Sequence, residues 1–439
     1  MPRDTRTIPL PYADRFAAMA ATLPGQELPW LRDLRAQAIE RVRQLGLPTI
    51  RNERWKYTNL TSLAAVAFEP AGAESSSFPE RLPPLIGGCR VVFVNGSYRA
   101  DLSTGSLPRG IALTSLAELL HKHPERARAL LGEHDGGTDS LASLNLAFAR
   151  DGYVIELAAN ASIEMPIEML YLTTPDAAAA AYHMHNAIIA GPGSSATVIE
   201  TFLHEAETVY WSQPVTEVRV GAGATLRHYK DQNEGLKAFH TAATDVRVSE
   251  NGRYENFVLT TGAALSRNEI AVFLDGRGAS CRLDSGYLAR GRQHADNTTA
   301  IIHAKPQTTS AEVYKGVLDE QARGVFQGRI VVEKDAQKAD GHQLNKTILL
   351  SDRAEIDTKP ELEIFADDVK CSHGAAAGEL DEDALFYLRA RGIGQAEARR
   401  MLVEAFVGET LENISNVAVR AAFERRIGAW MSAGAEQPA

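Results

Sequence analysis

Hydrophobic positions fall into three textures along this chain. From Trp30 to Leu45 apolar side chains recur at helical spacing, at Leu31, Leu34, Ala38, Val42 and Leu45, and the run stops at Gly46 with Pro48 behind it. A capped amphipathic helix is predicted there, and residues 1–65 as a whole read as helical. The stretch AGAESSSFPERLPP, residues 71–84, is rich in small residues and proline and reads as a linker or surface loop. From about residue 150 to 375 the helical period disappears and short β-branched runs take over. Examples are VRVGAGATL from Val218, VRVSENGRY from Val246, IAVFLDGRGAS from Ile270, IVVEKDAQKAD from Ile330 and LLSDRAEID from Leu349. Each is an apolar alternation, a small or turn residue, then another short strand.

Val218 to Val246 is 28 residues and Val246 to Ile270 is 24, spacings that suit one coil of a β-solenoid. A β-sandwich would also give short strands with turn punctuation. The solenoid is favoured because segments such as NAIIAGPGSSATVIETFLH show no two-residue hairpin turn between equal strands. After Ala377 helical spacing returns. Asp381, Glu382 and Asp383 place acid in a first turn, where it suits the positive helix end, and Leu385 and Leu388 form an apolar face up to Gly392. A second helix from near Gln395 is expected to bury Met401, Leu402, Ala405 and Phe406.

Charge and cysteine content narrow the function classes. The 439 residues carry 46 basic and 56 acidic side chains, a net of -10, which argues against a surface that tracks nucleic acid or anionic membrane. The opening MPRDTRTIPLPYADRF lacks the apolar core of a secretory signal, and nowhere do about eighteen apolar residues run together. A cytoplasmic protein is expected. Cys89, Cys281 and Cys371 lie far apart with no CxxC pair, so neither a disulfide framework nor a self-contained metal site is indicated. Cluster chemistry would need ligands from distant strands or from another chain.

The densest reactive set is ADDVKCSHGA, residues 366–375. In an extended segment Cys371 and His373 project from the same face, close enough for a thiolate and an imidazole to serve one metal or persulfide site. The bland reading is a buried cysteine beside a satisfied histidine. His294, Asp296 and His303, with His342 further on, could bind a metal or could hydrogen-bond across solenoid turns. Asp357, Glu361, Asp367 and Asp368 invite comparison with β-helix polysaccharide lyases, in which acidic residues hold a cation or do acid–base work; that enzyme reading fits poorly with a chain lacking an export signal. FYLRARGIGQAEARRMLVEAF, with Arg389, Arg391, Arg399 and Arg400, can be read as a DNA-binding helix-turn-helix or as a protein docking surface. The glycines of Gly221 to Gly223 have no third partner and no following helix, so they are no nucleotide fingerprint.

The run VKCSHGAAAGELDEDALFYLRARGIGQAEARRMLVEAF, together with HADNTTAIIHAKPQTTSAEVYKGVL, FQGRIVVEKDAQKADGHQLNKTILLS and TKPELEIFADDVK, covers about 290 to 410. It resembles the SufB/SufD family of iron–sulfur cluster assembly proteins. RNERWKYTNL at 51–60 is similar to the N-terminal helical region of the SufD branch, and Gly374, where the SufB branch commonly has glutamate, points the same way.

This resemblance implies a mainly β fold, a right-handed parallel β-helix flanked by N- and C-terminal α-helical domains. The expected divisions are an N-terminal helical domain at 1–70, a linker and mixed α/β segment at 71–150, the β-helix at 151–376 and a C-terminal helical domain at 377–439. It also implies a scaffold without catalysis of its own, in complex with a SufB-like paralogue and a SufC-like ATPase, or a homodimer when isolated. No phosphate-binding loop is present to supply the ATPase. Carried over by position, Cys371 and His373 match the interface where the nascent cluster forms. Leu385, Phe386, Tyr387, Arg391, Met401, Leu402 and Phe406 fall in the SufC-docking helices. No tightly held cofactor is expected in isolation; an iron–sulfur cluster or iron would be held transiently in the complex. Neither nucleic acid nor membrane is an expected partner.

Overall fold

The alternating strands coil instead of doubling back. In the computed structural model, which describes residues 7–71, 82–131 and 140–435, successive strands of the central region fall in different sheets, and each pairs in parallel with the next strand but one. Thr309–Leu318, for example, lies between Ser280–Ala289 and Asp340–Leu349. The result is two ten-stranded sheets wound into a β-solenoid of about 8 turns, with helices at both chain ends. We call the sheet that ends in Lys370–Gly378 sheet I and the sheet that ends in Glu355–Ile364 sheet II.

One corner of each coil turns on a residue with positive φ: Gly193, Gly223, Asn251, Gly278, Gln307 and Lys338. Their amide N–H groups donate to the next corner's carbonyls, Ala222, Glu250, Arg277, Pro306, Gln337 and Asp368 in turn. Gly223 is therefore a corner residue, and glycine or asparagine tolerates the left-handed backbone it requires. Ile188, Val218, Val246, Val272, Ile301 and Ile330 stack in one inward column. Val246 is thus in register with Val272, a coil of 26 residues, while Ile270 pairs with Thr244. The run Ile-Ala-Val offers two inward positions, and alternation alone does not choose between them.

The two ends of the shaft differ. At its start, sheet I closes on the two-residue strand Ser97–Tyr98, and sheet II on Ile111–Ser115, both antiparallel. At its finish stand two long strands, Glu355–Ile364 and Lys370–Gly378, each last in its sheet.

Helices cover the outer faces. Among the described residues up to 65, only Pro29–Leu45 forms a long helix, ending where Gly46 takes φ 61. The rest of the described part is short turns and a two-stranded ribbon, Thr7–Ile8 with Leu47–Pro48. Pro9, Pro11, Pro24, Pro29 and Pro48 break the helical period there. Most of the proposed loop at 71–84 lies outside the described residues. Leu31, Ile39, Val42, Leu60 and Phe68 pack with Trp211, Phe239 and Leu265 of sheet II in a second core. At the other end, Val403, Val407, Leu411, Phe423 and Ile427 pack on Ile199, Tyr229, Phe257, Leu259 and Val317 of sheet I.

Helix Gln395–Gly408 therefore buries Ala398, Val403 and Val407. Met401 and Ala405 face outward, and Leu402 and Phe406 are half-buried. The expected inward face is corrected: the helix is apolar around much of its circumference, and the surface of sheet I selects the stripe.

Candidate functional site

The last rung brings Cys371 and His373 to an open end of the shaft. In the parallel pair formed by Asp340–Leu349 and Lys370–Gly378, Cys371 stands opposite Gly341 and His373 opposite Gln343. Gly341 and Gln343 point into the shaft and are buried. Their partners one strand further on share that direction but have no following strand above them, so Cys371 is half-buried and His373 exposed. Among the described residues His373 has no hydrogen-bond or ion-pair partner, which leaves both ring nitrogens available.

Burial pushes the Cys371 thiol up, the Gly341 backbone N–H pulling it back and Asp340 adding to the rise. The group is thus a thiol at neutral pH until a metal displaces its proton. Thiolate and imidazole are both ligands for iron, and two of them cannot close a four-coordinate centre. No group of three or more His, Cys, Asp or Glu side chains placed to hold a metal occurs among the described residues. The pair is an incomplete set on this chain.

The other expected groupings disperse. His294 and Asp296 hydrogen-bond to Thr58, and Asp296 also pairs with Arg267. His303 is buried between Thr308 and Ser310, at 2.8 and 2.9 Å. His342 is exposed on the outer side of the same strand pair, 2.6 Å from Ser372 and 2.7 Å from Asp340. Of the acids of the lyase reading, Asp357 is held by Arg323 and Glu361 by Lys359 at 3.0 Å, and with Asp367 and Asp368 they form no cation cradle among the described residues. Arg400 is tied to Glu397 and Glu404.

In the C-terminal helices Asp381 caps Glu382–Ala390 by accepting from the Ala384 N–H at 3.0 Å. Leu385 is buried, whereas Phe386 is 72% exposed, Tyr387 56% and Met401 40%. The Arg391 guanidinium lies 4.7 Å from the Tyr387 ring centroid, and Phe406 sits under Lys315 at 4.6 Å. Phe386, Tyr387, Arg391 and Met401 form the exposed part of the expected docking set; Leu385, Leu402 and Phe406 anchor it.

Reading the sequence missed a clasp on sheet II. Trp55 lies 3.9 Å from the guanidinium of the buried Arg267, which pairs with Glu269 at 2.9 Å and with Asp296. The Gln327 side chain donates to the Arg54 carbonyl at 3.1 Å, and Glu53 reaches Lys359 on the final strand of the sheet. RNERWKYTNL is thus a strap laid across sheet II up to its open edge. An aromatic among charges in an otherwise polar decamer was the available signal.

Known proteins match along nearly the whole chain. Residues 172–406 match the family described as SUF system FeS cluster assembly, SufBD core domain, and residues 7–169 match the SufBD protein N-terminal region. An iron–sulfur cluster assembly SufBD family protein of Synechocystis is 31% identical over 90% of this chain and 90% of its own. The iron–sulfur cluster assembly protein SufD of Escherichia coli is 30% identical over 91% and 93%. Protein ABCI7, chloroplastic, of Arabidopsis thaliana is 29% identical over 94% and 88%. No described helix is long and apolar enough to cross a membrane.

Proposed function

The chain belongs to the SufBD family of iron–sulfur cluster assembly proteins, and we propose that within it the chain is a SufD-like scaffold acting with a SufB-like paralogue and a SufC-like ATPase to build and hand on nascent clusters. One observation carries this reading. The finished end of the shaft leaves two strands of ten and nine residues at the sheet edges, with Cys371 and His373 on one of them. Long flat edges invite pairing with another chain, and proteins that avoid such pairing keep their edges short or covered, as this shaft does at its start.

In the proposed assembly a sister subunit meets that end and supplies the missing ligands. His373 binds iron through an imidazole nitrogen, and Cys371 binds after metal displaces its proton. A ligand set split between two chains suits release: separating the chains dismantles the site. The ATPase docks on Phe386, Tyr387, Arg391 and Met401, and the chain itself does no chemistry on nucleotide. Movement of those helices reaches sheet I through Lys315 and Glu409, through Arg426 and Asp231 at 3.1 Å, and through Arg290 stacked 3.8 Å from Trp430. The proposal places the chain in the cytoplasm, a reducing compartment in which the Cys371 thiol persists. An isolated preparation would pair with itself through the same edges.

Co-expression with a SufB-like and a SufC-like protein tests the reading. A ternary complex is expected; failure to bind either partner would overturn it.

A further inference from the structure

Inward positions of sheet I line up across the coils, and one column is polar where a solenoid interior is ordinarily apolar. Successive partners in register are His228, Asn256, Leu283, Glu312, Gln343 and His373. Rungs stack about 4.8 Å apart, so Gln343 lies directly below His373 and Glu312 directly below Gln343. Both are buried, at 3% and 1% exposure. Neither Glu312 carboxyl oxygen has a hydrogen-bond partner, and neither does Gln343 Oε1. Buried polar atoms without partners are costly, and each calls for an explanation.

The orientation of Gln343 is fixed. Its nitrogen donates to the Glu361 carbonyl of the last sheet II strand at 3.2 Å, and a carbonyl can only accept. The oxygen is therefore the free end, and it occupies space that a side chain at residue 328 would take: a Cβ on Gly328 would fall 2.2 Å from it. An ionised Glu312 would set acceptor against acceptor. A neutral acid resolves the conflict, because it has one O–H to give and one oxygen left to receive. Thr299, on the facing strand of sheet II, is the hydroxyl beside this carboxyl and can supply that second bond.

We propose that Glu312 and Gln343 are positioning residues for His373: Glu312, as the neutral acid, donates to Gln343 Oε1, and the Gln343 amide, held at its other end by Glu361, forms the floor on which the His373 imidazole rests. The surroundings of Glu312 agree. Cys281, Asp284 and Tyr314 on sheet I and Thr299 on sheet II are the groups acting on it or beside it, and none is basic. Burial pushes its carboxyl up to about 8, the Thr299 hydroxyl opposing and Asp284 adding to the rise. The device places a hydrogen-bonded, uncharged support under a ligand that must stay free on its outer side. It rests on His373 being the ligand proposed above.

The test reads His373 itself. In full-length protein labelled at histidine, the imidazole carbon–proton signal lost in His373→Ala identifies the residue. In wild type this signal should move near pH 8 as Glu312 ionises two rungs below it. Glu312→Gln keeps a donor without the charge, so that movement should vanish while the signal holds its neutral-pH position. Gln343→Leu should displace the signal. A Glu312→Gln titration identical to wild type, or an unmoved signal in Gln343→Leu, overturns the proposal. Iron content of the His373→Ala complex is measured separately: retained iron refutes the ligand role whatever the resonance does, so the two failures are distinguishable.

Discussion

Cys371 stands opposite Gly341 in the last strand pair of the shaft, and this pairing leaves its thiol half open at the end of an otherwise closed core. Cys89 and Cys281 are buried, with thiols pushed up chiefly by burial. In native protein an alkylating reagent should therefore modify Cys371 alone, with all three cysteines modified after denaturation. Because the Cys371 thiol is raised, its rate should climb with pH beyond the ordinary thiol range. Mass spectrometry of the labelled peptides checks this; labelling of Cys281 at a comparable native rate would contradict the open-end geometry.

The exposed ring pair on helix Glu382–Ala390 gives a second expectation. Phe386→Ala with Tyr387→Ala should remove the ATPase partner from a pull-down while changing stability by no more than about 0.5 kcal/mol, the usual range for exposed substitutions. Retention of the ATPase at wild-type levels counts against docking there.

Glu312 makes stability depend on pH in a stated direction. Its folded-state pKa, about 8, lies above the ordinary 4.5, so the folded protein binds the extra proton between these values and loses stability as pH rises through that window. Glu312→Gln removes the dependence. Its advantage over wild type should grow by about 1.4 kcal/mol per pH unit across the window. Urea titrations at pH 5.5 and 7.5 measure it, and a gap that stays constant or shrinks would be incompatible with a buried carboxyl that has no cation beside it.

Arg267 is the hinge of the strap that carries Trp55. Arg267→Ala leaves Asp296 buried without its cation, and the loss of one partner of such a pair costs about 3–5 kcal/mol. Limited proteolysis should then cut within residues 51–60 faster than in wild type. A variant with unchanged denaturation midpoint and cleavage rate would mean that the strap is held by other contacts.

These residues show what alternation and spacing can and cannot reveal. The helix Pro29–Leu45 was legible because one apolar stripe ends at a glycine with a proline behind it. The solenoid was legible because its corners recur, and Cys371 and His373 share a face in any extended segment. Coil length was not fixed, since Ile270 and Val272 both point inward. The inward stripe of Gln395–Gly408 was misread, since Met401 and Phe406 are as apolar as Val403 and Val407. Glu312 was invisible for a different reason: in AEVYKGVL a charged residue reads as facing solvent, and only the register of stacked coils turns it into the shaft.

In the proposed assembly His373 completes a ligand set across a contact between chains. The most direct test is the iron and acid-labile sulfide content of the assembled complex, wild type against His373→Ala, with the partners quantified in the same preparation. The expected result is a variant complex of normal subunit composition that has lost its iron and sulfide. Full iron and sulfide in that complex, with both partners bound, would contradict the account.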